Sequence, residues 1–586
     1  MKKFLLVAYE TRFAPCGGIA AVMNQLPGYL RAAAGLSTSV ITPFHHRIPQ
    51  TSSLPVRPIG KVRVPFFGDS VNVNISRFDD RWHWYFLDAR DYILPKSHRL
   101  AENDERFFAG LKQPYNVGTN AAEQLAILRR DALFFGVAVA RALPEFGADI
   151  RWTLLMQDWQ AATTTLALTG RNRNHNVKCF LTLHNSYDSG EVKSEELVGV
   201  GIDPDDVPAP VTKSTVLGRA IPLLEKPIFT VSEQFARDFT EDVFQCKVMA
   251  GHLQEDLRPP RLVGVNNGLF TALAIPEKPA LADARRRDYK ALKAWKAEQK
   301  SAAVEALVHF TPTEARPVWG NKSEFLTKAK ADADMPWFVL AGRDDTRQKG
   351  FDVAAAAINN FLRKSGNDDK AQFLLFPMPG DEGHEGLIFL RKLAESFQPS
   401  VLVLPFMFSE GYAAALRGAA FGVMPSLYEP FGSAGDFYLS GAVGIGRATG
   451  GLLQQIAPFR ACPSFTPAVA RLSSRWHQES VPATGFLYRE PDGNPTIVAD
   501  WEAFNKVKYL SAPNKDRCEE RTKYRLFTDM AGALEQAIED AIKVHGEPPS
   551  SDGSQPYFAM LLEGIGHLQR GFSWEWSSAE YNSYLA

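Results

Sequence analysis

Short apolar runs of strand length, each leading through a turn into helical material, recur in two consecutive series along this chain. That alternation limits the possible folds more than any other feature. "FLLVA" (4–8) is a buried strand, "PCGGIAAVMNQLPGYLRAAAG" (15–35) a glycine turn opening a helix, and "STSVITPF" (37–44) the next strand. A strand–helix–strand unit joins parallel strands by a right-handed crossover, and its repetition makes a parallel sheet with helices on both faces. A helix near 121–144, strands at 152–157 and 177–184, and a strand followed by a Ser232-capped helix within 226–243 continue the first series. A second series starts at "WFVLAGR" (337–343) and runs through 371–380, 400–407, 419–427 and 441–451. The aromatic stretch 60–120 reads as insertion and loop, and the Lys-, Arg- and Ala-rich stretch 278–305 as an exposed helical link or insertion. The fold class expected is α/β, with two Rossmann-like domains facing across a deep cleft at the carboxyl ends of both sheets.

Length agrees with two domains, since 586 residues exceed what one core takes and domains hold about 100–200 residues each. Hydrophobic content of 45%, charged content of 22% and a net charge of −1 describe an ordinary globular chain. They exclude the strongly basic balance of a nucleic-acid or membrane-surface binder. Cys16, Cys179, Cys246, Cys462 and Cys518 are scattered without a C-x-x-C spacing, so reduced thiols, no zinc site and a cytoplasmic setting are expected. The opening "MKKFLLVAYETRF" has too short an apolar run for a signal peptide and meets Glu10 and Arg12 at once. No run approaches the ~18 residues of a membrane span.

Candidate chemistry sits where the apolar runs end. "SLYEPFGSAGDFYLSGAVGIGRATGGLLQQI" (426–456) places Glu429 after a buried strand and ahead of glycines and small residues. Glycines admit close backbone approach, and exposed N–H groups beside a helix start attract anions. A carboxylate there suits sugar hydroxyls or a developing positive charge. "GRDDTRQKGFD" (342–352) puts Arg343 and Lys349 in a polar loop after another strand, where two cations can grip a diphosphate. "LTLHNSYDSGE" (181–191) sets His184 and Asn185 at a strand end, and "QDWQAATTTL" (157–166) does the same for Asp158. Singly, each has a plainer reading: a glycine turn, solvated loop charges, a structural His, an N-cap Asp.

Taken in order, "GG", "QDW", "HN", "TVSEQFARDF", "NNG", "GR…QKG", "EPFG" and "RATGGL" resemble the bacterial glycogen synthase and plant starch synthase family. The closing "FSWEWSSAEYNSYL" (572–585) is similar to the family's last helix, which returns to the first domain. The resemblance covers nearly the whole chain. It implies a GT-B fold with an N-terminal, acceptor-side domain over 1–262, a donor-side domain over 263–571 and a returning helix over 572–586. It implies a glycosyltransferase that moves glucose with retention from ADP-glucose to the non-reducing end of an α-1,4-glucan, with no cofactor or metal. Its partners are then a nucleotide-sugar donor and a glucan acceptor, with no nucleic acid, no membrane and an oligomeric state left open.

The resemblance also implies roles. Arg343 and Lys349 hold the donor diphosphate, Glu429 contacts the transferred glucose, and His184 lies at its 6-hydroxyl or beside the reacting centre. Asn267, Asp158 and Asn185 line the cleft. Gly432, Ser433, Thr449 and Gly450 offer loop donors to phosphate, Phe408 stacks on the base, and Gly17 and Gly18 bring the first helix to the donor. Departures from the family pattern are local: Pro15 stands in place of its Lys, Ala21 in place of its Asp, Gln160 in place of a His, and Asp436 falls where a second Glu is usual. Two further readings therefore stay open. One is a retaining transferase using another UDP- or GDP-linked sugar for a different polysaccharide or glycoconjugate. The other is an inactive glucan-binding relative.

Overall fold

The computed structural model describes residues 2–118, 120–147, 149–169, 176–209, 213–380, 382–506 and 516–585. The chain divides into two compact units, Met1–Gly268 with Ser573–Ala586, and Leu269–Phe572. Both are α/β.

The first unit is built on nine strands: β1 (Lys2–Val7), β2 (Thr38–Pro43), β3 (Arg57–Phe66), β4 (Asp69–Asp79), β5 (His83–Asp88), β6 (Arg151–Gln157), β7 (Val177–Leu183), β8 (Ile228–Thr230) and β9 (Leu262–Gly264). Their order is β3-β4-β5-β2-β1-β6-β7-β8-β9. All neighbours from β5 to β9 run parallel. Strands buried on both faces by helices read as continuous apolar runs, as Phe4–Val7 and Leu154–Met156 do. The terminal helix Trp574–Leu585 belongs to this unit: Trp574 stacks on Tyr29, Tyr581 packs against Phe229, and Lys2 donates to the Leu585 carbonyl at 3.0 Å.

The stretch expected as insertion and loop is in large part sheet. β3 and β4 form an antiparallel hairpin that pairs through β4 with β5. Val62, Val64, Phe66, Val71, Val73 and Ile75 point inward, alternating with Lys61, Arg63, Asn72 and Asn74. This is the period-two pattern of a half-buried antiparallel pair. The expected helix at 15–35 is two, Gly18–Met23 and Leu26–Ala34, with Pro27 in the first turn of the second.

The second unit carries β10 (Trp337–Arg343), β11 (Gln372–Met378), β12 (Val401–Val403), β13 (Phe421–Met424), β14 (Val443–Arg447) and β15 (Phe486–Tyr488). They run parallel in the order β12-β11-β10-β13-β14-β15. Order reverses between β10 and β13, and such switch points leave a crevice at the strands' carboxyl ends. The helix Lys290–His309, expected to be exposed, packs into this unit instead. Lys296 is buried and donates at 2.6 Å to the carbonyls of both Ala419 and Gly441, and buried Lys300 donates at 2.8 Å to that of Met335. Lysine stems cover apolar surface while the ammonium groups satisfy carbonyls at strand entries. Burial pushes the Lys296 ammonium down to about 7.

Candidate functional site

In the second unit three loops meet at the switch point: 344–350 after β10, 425–433 after β13 and 448–451 after β14. Glycines make the approach possible. Gly350 has φ +60, and a Cβ there would stand 2.0 Å from the Pro425 carbonyl oxygen. Gly450 has φ +48, and its Cβ would stand 1.6 Å from the Glu429 carbonyl oxygen. No other residue fits either place. The loops are then laced backbone to backbone, with Leu427 N–H donating to Gln348 O at 2.6 Å and Gly451 N–H to Glu429 O at 3.0 Å.

Two of the residues singled out by sequence meet here. Lys349 Nζ lies 2.7 Å from Glu429 Oε2, and Ser426 Oγ donates to the same oxygen at 2.8 Å. The Glu429 carboxylate is 8% exposed and the Lys349 side chain 27%, so the cation is the member of the pair open to a ligand. Arg343 ends β10, half-buried, with its carbonyl accepting Asp345 N–H at 3.0 Å. Gly432, with φ +105, and Ser433 precede the helix Ala434–Ser440, where Ser433 makes no side-chain cap. Thr449 is buried. Asp436, in the first turn of that helix, is bonded by the Thr271 hydroxyl.

Behind these loops lie residues the sequence reading passed over. Arg447, fully buried at the end of β14, donates to the Leu427 carbonyl at 2.6 Å and to Glu490 Oε2 at 2.9 Å. Burial alone would raise the Glu490 carboxyl; the Arg447 and Arg489 guanidiniums reverse that and hold it at about 2. The signal was a lone Arg ending an otherwise apolar strand. Phe408 is a correction. Its ring is 1% exposed and packed against Phe310, Phe376 and Phe406, so no base can stack on it. A Phe in a stretch of aromatics finds a core as readily as a ligand.

In the first unit the order reverses between β1 and β6, and the loops after both hold acids. Asp158, 3% exposed, has φ +61, a left-handed conformation costing a non-glycine residue roughly 1–3 kcal/mol. Its Oδ1 accepts His184 N–H at 2.6 Å and its Oδ2 accepts Asn185 Nδ2 at 2.8 Å. These three predicted residues therefore form one cluster. Burial is the main cause that pushes the Asp158 carboxyl up to about 7, with the nearby Glu10 charge adding to it against the donated N–H groups. Burial likewise pushes His184 down to about 3. Gln157 Nε2 is committed to the Leu155 carbonyl, so its Oε1 accepts from His184 Nε2 at 2.7 Å. The imidazole is then neutral, with Nδ1 left as an acceptor for a hydroxyl rather than a source of protons.

Gly17 and Gly18 are both exposed, Gly17 in a turn closed on Glu10 and Gly18 at the start of the helix Gly18–Met23. The N–H groups of Cys16, Gly17 and Ala20 all donate to Glu10 Oε1, at 3.1, 2.5 and 3.1 Å. The turn expected to approach the donor is wrapped around the chain's own carboxylate, itself 2% exposed. Asn267 is buried, its backbone N–H on Val231 O at 3.1 Å and its side-chain oxygen unpartnered among the described residues.

Ionisation of Asp158 has a consequence for stability. Its folded pKa lies above the ordinary carboxylate value, so the neutral form favours the fold fully below about pH 4, and that contribution fades as pH rises to about 7. Thermal unfolding of wild type and Asp158→Asn across this range should show the wild type losing stability relative to the variant. Parallel pH profiles would contradict the buried, unpaired carboxyl.

Residues 3–255 match the starch synthase catalytic domain, and residues 280–436 match the family 4 glycosyltransferases of conflict systems. The catalytic domain of starch synthase IV from Arabidopsis thaliana, bound to ADP and acarbose, superposes with a TM-score of 0.62 at 16% identity, over 100% of this chain and 98% of that one. The chain is a glycosyltransferase of the GT-B fold. A trehalose-6-phosphate synthase, OtsA, matches this glycosyltransferase at a TM-score of 0.50 and 10% identity, over 99% of this chain and 98% of that one. At such identities the likeness establishes the fold of the enzyme and leaves its sugars open. No curated protein sequence matches it. Among the described residues of the glycosyltransferase no cluster of His, Cys, Asp or Glu could hold a metal ion, and no helix is long and apolar enough to cross a membrane.

Proposed function

We propose that this glycosyltransferase moves glucose, with retention, from a nucleotide-linked glucose to the non-reducing end of an α-1,4-glucan, with ADP-glucose as the first donor to try. The observation that carries the reading is the Lys349–Glu429 pair, 2.7 Å apart at the switch point of the second sheet. A cation beside a desolvated carboxylate serves both ends of a nucleotide sugar. Lys349 and Arg343 meet the diphosphate, where negative charge grows as the sugar leaves, and Glu429 faces the sugar, where positive charge grows. Fixed charges of this kind stabilise the transition state more than the ground state. In this reading His184 of the first unit takes a sugar hydroxyl on Nδ1, and Asp158 and Asn185 hold the loop that carries it. No further cofactor enters this reading. Five free cysteines support a cytoplasmic setting.

A second reading, a retaining transferase for another UDP- or GDP-linked sugar, draws on the first glycine turn. Pro15 and Ala21 stand in it, and Glu10 takes its N–H groups.

A donor screen separates the two. The purified protein is incubated with ADP-, UDP- and GDP-glucose, with and without glycogen or maltooligosaccharide, following nucleotide release and chain growth. Elongation dependent on ADP-glucose is the expected result. Release from another donor, or only with another acceptor, selects the second reading. Glucan binding without turnover on any donor overturns both and leaves an inactive relative.

A further inference from the structure

The loop carrying Arg343 and Lys349 is held from behind by four buried charges. Asp344 follows Arg343 and accepts from Arg517 Nη2 at 2.8 Å and Nη1 at 3.2 Å. Asp352 stands in the first turn of the helix Phe351–Arg363 and accepts from Arg521 Nη1 at 2.7 Å, with Arg517 Nε at 3.3 Å. Arg521 Nη2 also donates to the Thr346 carbonyl at 2.7 Å, inside the loop. No side chain of the four is more than 2% exposed. Both arginines come from one short helix, Arg517–Arg521, whose N-terminus Asp516 caps. Arg517 lies over the Phe389 ring and Arg521 over that of Phe504, which fixes their planes. Burial alone would raise the Asp352 carboxyl; the two guanidiniums lower it instead.

Buried ion pairs contribute little net stability against apolar replacements, because desolvation offsets the attraction. What they supply is direction: a guanidinium fork accepts one arrangement of its partners. Here the partners are at 344, 346 and 352: the first adjoins 343, and the last two stand on either side of 349. We propose that Arg517 and Arg521 are positioning residues that set the placing of Arg343 and Lys349 for a nucleoside diphosphate. This rests on the reading of those two cations as the donor's diphosphate grip.

The test is a double-mutant cycle on nucleoside diphosphate binding. ADP and UDP are titrated calorimetrically, to millimolar concentration, into wild type, Arg521→Lys, Lys349→Ala and the double variant, with thermal unfolding run in parallel. Arg521→Lys keeps the charge and loses the fork. It is expected to weaken binding about tenfold in the wild type and less than about twofold on the Lys349→Ala background, since residues acting through one another are not additive. Should Arg521→Lys fail to fold, Asp344→Asn, which keeps an acceptor for Arg517, is expected to give the same non-additivity. An equal loss on both backgrounds, or unchanged binding by a folded variant, overturns the proposal while Lys349→Ala still binds weakly. Full binding by Lys349→Ala, or none by wild type, overturns the diphosphate grip and the proposal with it.

Discussion

Lys349→Ala is expected to lower sugar transfer about 10²–10³-fold while the protein still folds. The range is that found when one preorganised charge or donor is taken from a transition-state site. Lys349 is the partly open member of its pair; its loss leaves the mostly buried Glu429 carboxylate without its counter-charge, at a cost to the fold below the about 3–5 kcal/mol of a fully buried pair. Glu429 would keep Ser426 as its hydrogen-bond donor at 2.8 Å. Initial rates on the donor found by the screen, beside a melting curve, decide the matter. A variant that melts normally and retains more than a tenth of wild-type turnover would remove Lys349 from the chemistry.

The second large effect concerns stability. Arg447 and Glu490 are 0% and 5% exposed and bonded to each other. Arg447→Met leaves the Glu490 carboxylate buried with much of its compensation gone, and leaves the Leu427 carbonyl without its donor. The expected cost is about 3–5 kcal/mol, by chemical denaturation. Pairing it with Glu490→Leu removes the orphaned charge as well, so the double variant should recover part of the loss. If the double variant is less stable than the single one, the cost lies in lost packing and not in an uncompensated charge.

The α/β class and the loops of the second unit were legible because chemistry in such folds gathers at the carboxyl ends of strands, and strand ends can be read from apolar runs. Lys349 and Glu429 are 80 residues apart in sequence, yet each follows such a run. The Asp158–His184–Asn185 cluster was legible in the same way. Other features were not. Arg517 and Asp344 are 173 residues apart, and no local pattern announces a pair of that span. Phe408 shows the converse limit: place in a motif does not say which side of a loop an aromatic ring faces. The β3–β4 hairpin was written in the alternation of "KVRVPF" and "SVNVNI", but the aromatic residues around it blur the period of two.

Glu10 gives the first unit a property of its own. A carboxylate joined to the loop it fills has an effective concentration that a dissolved ion does not reach. Free phosphate, pyrophosphate or a sugar phosphate would have to replace a bonded carboxylate to reach the N–H groups of Cys16, Gly17 and Ala20. The first glycine turn is thereby filled from within the chain before any dissolved anion meets it.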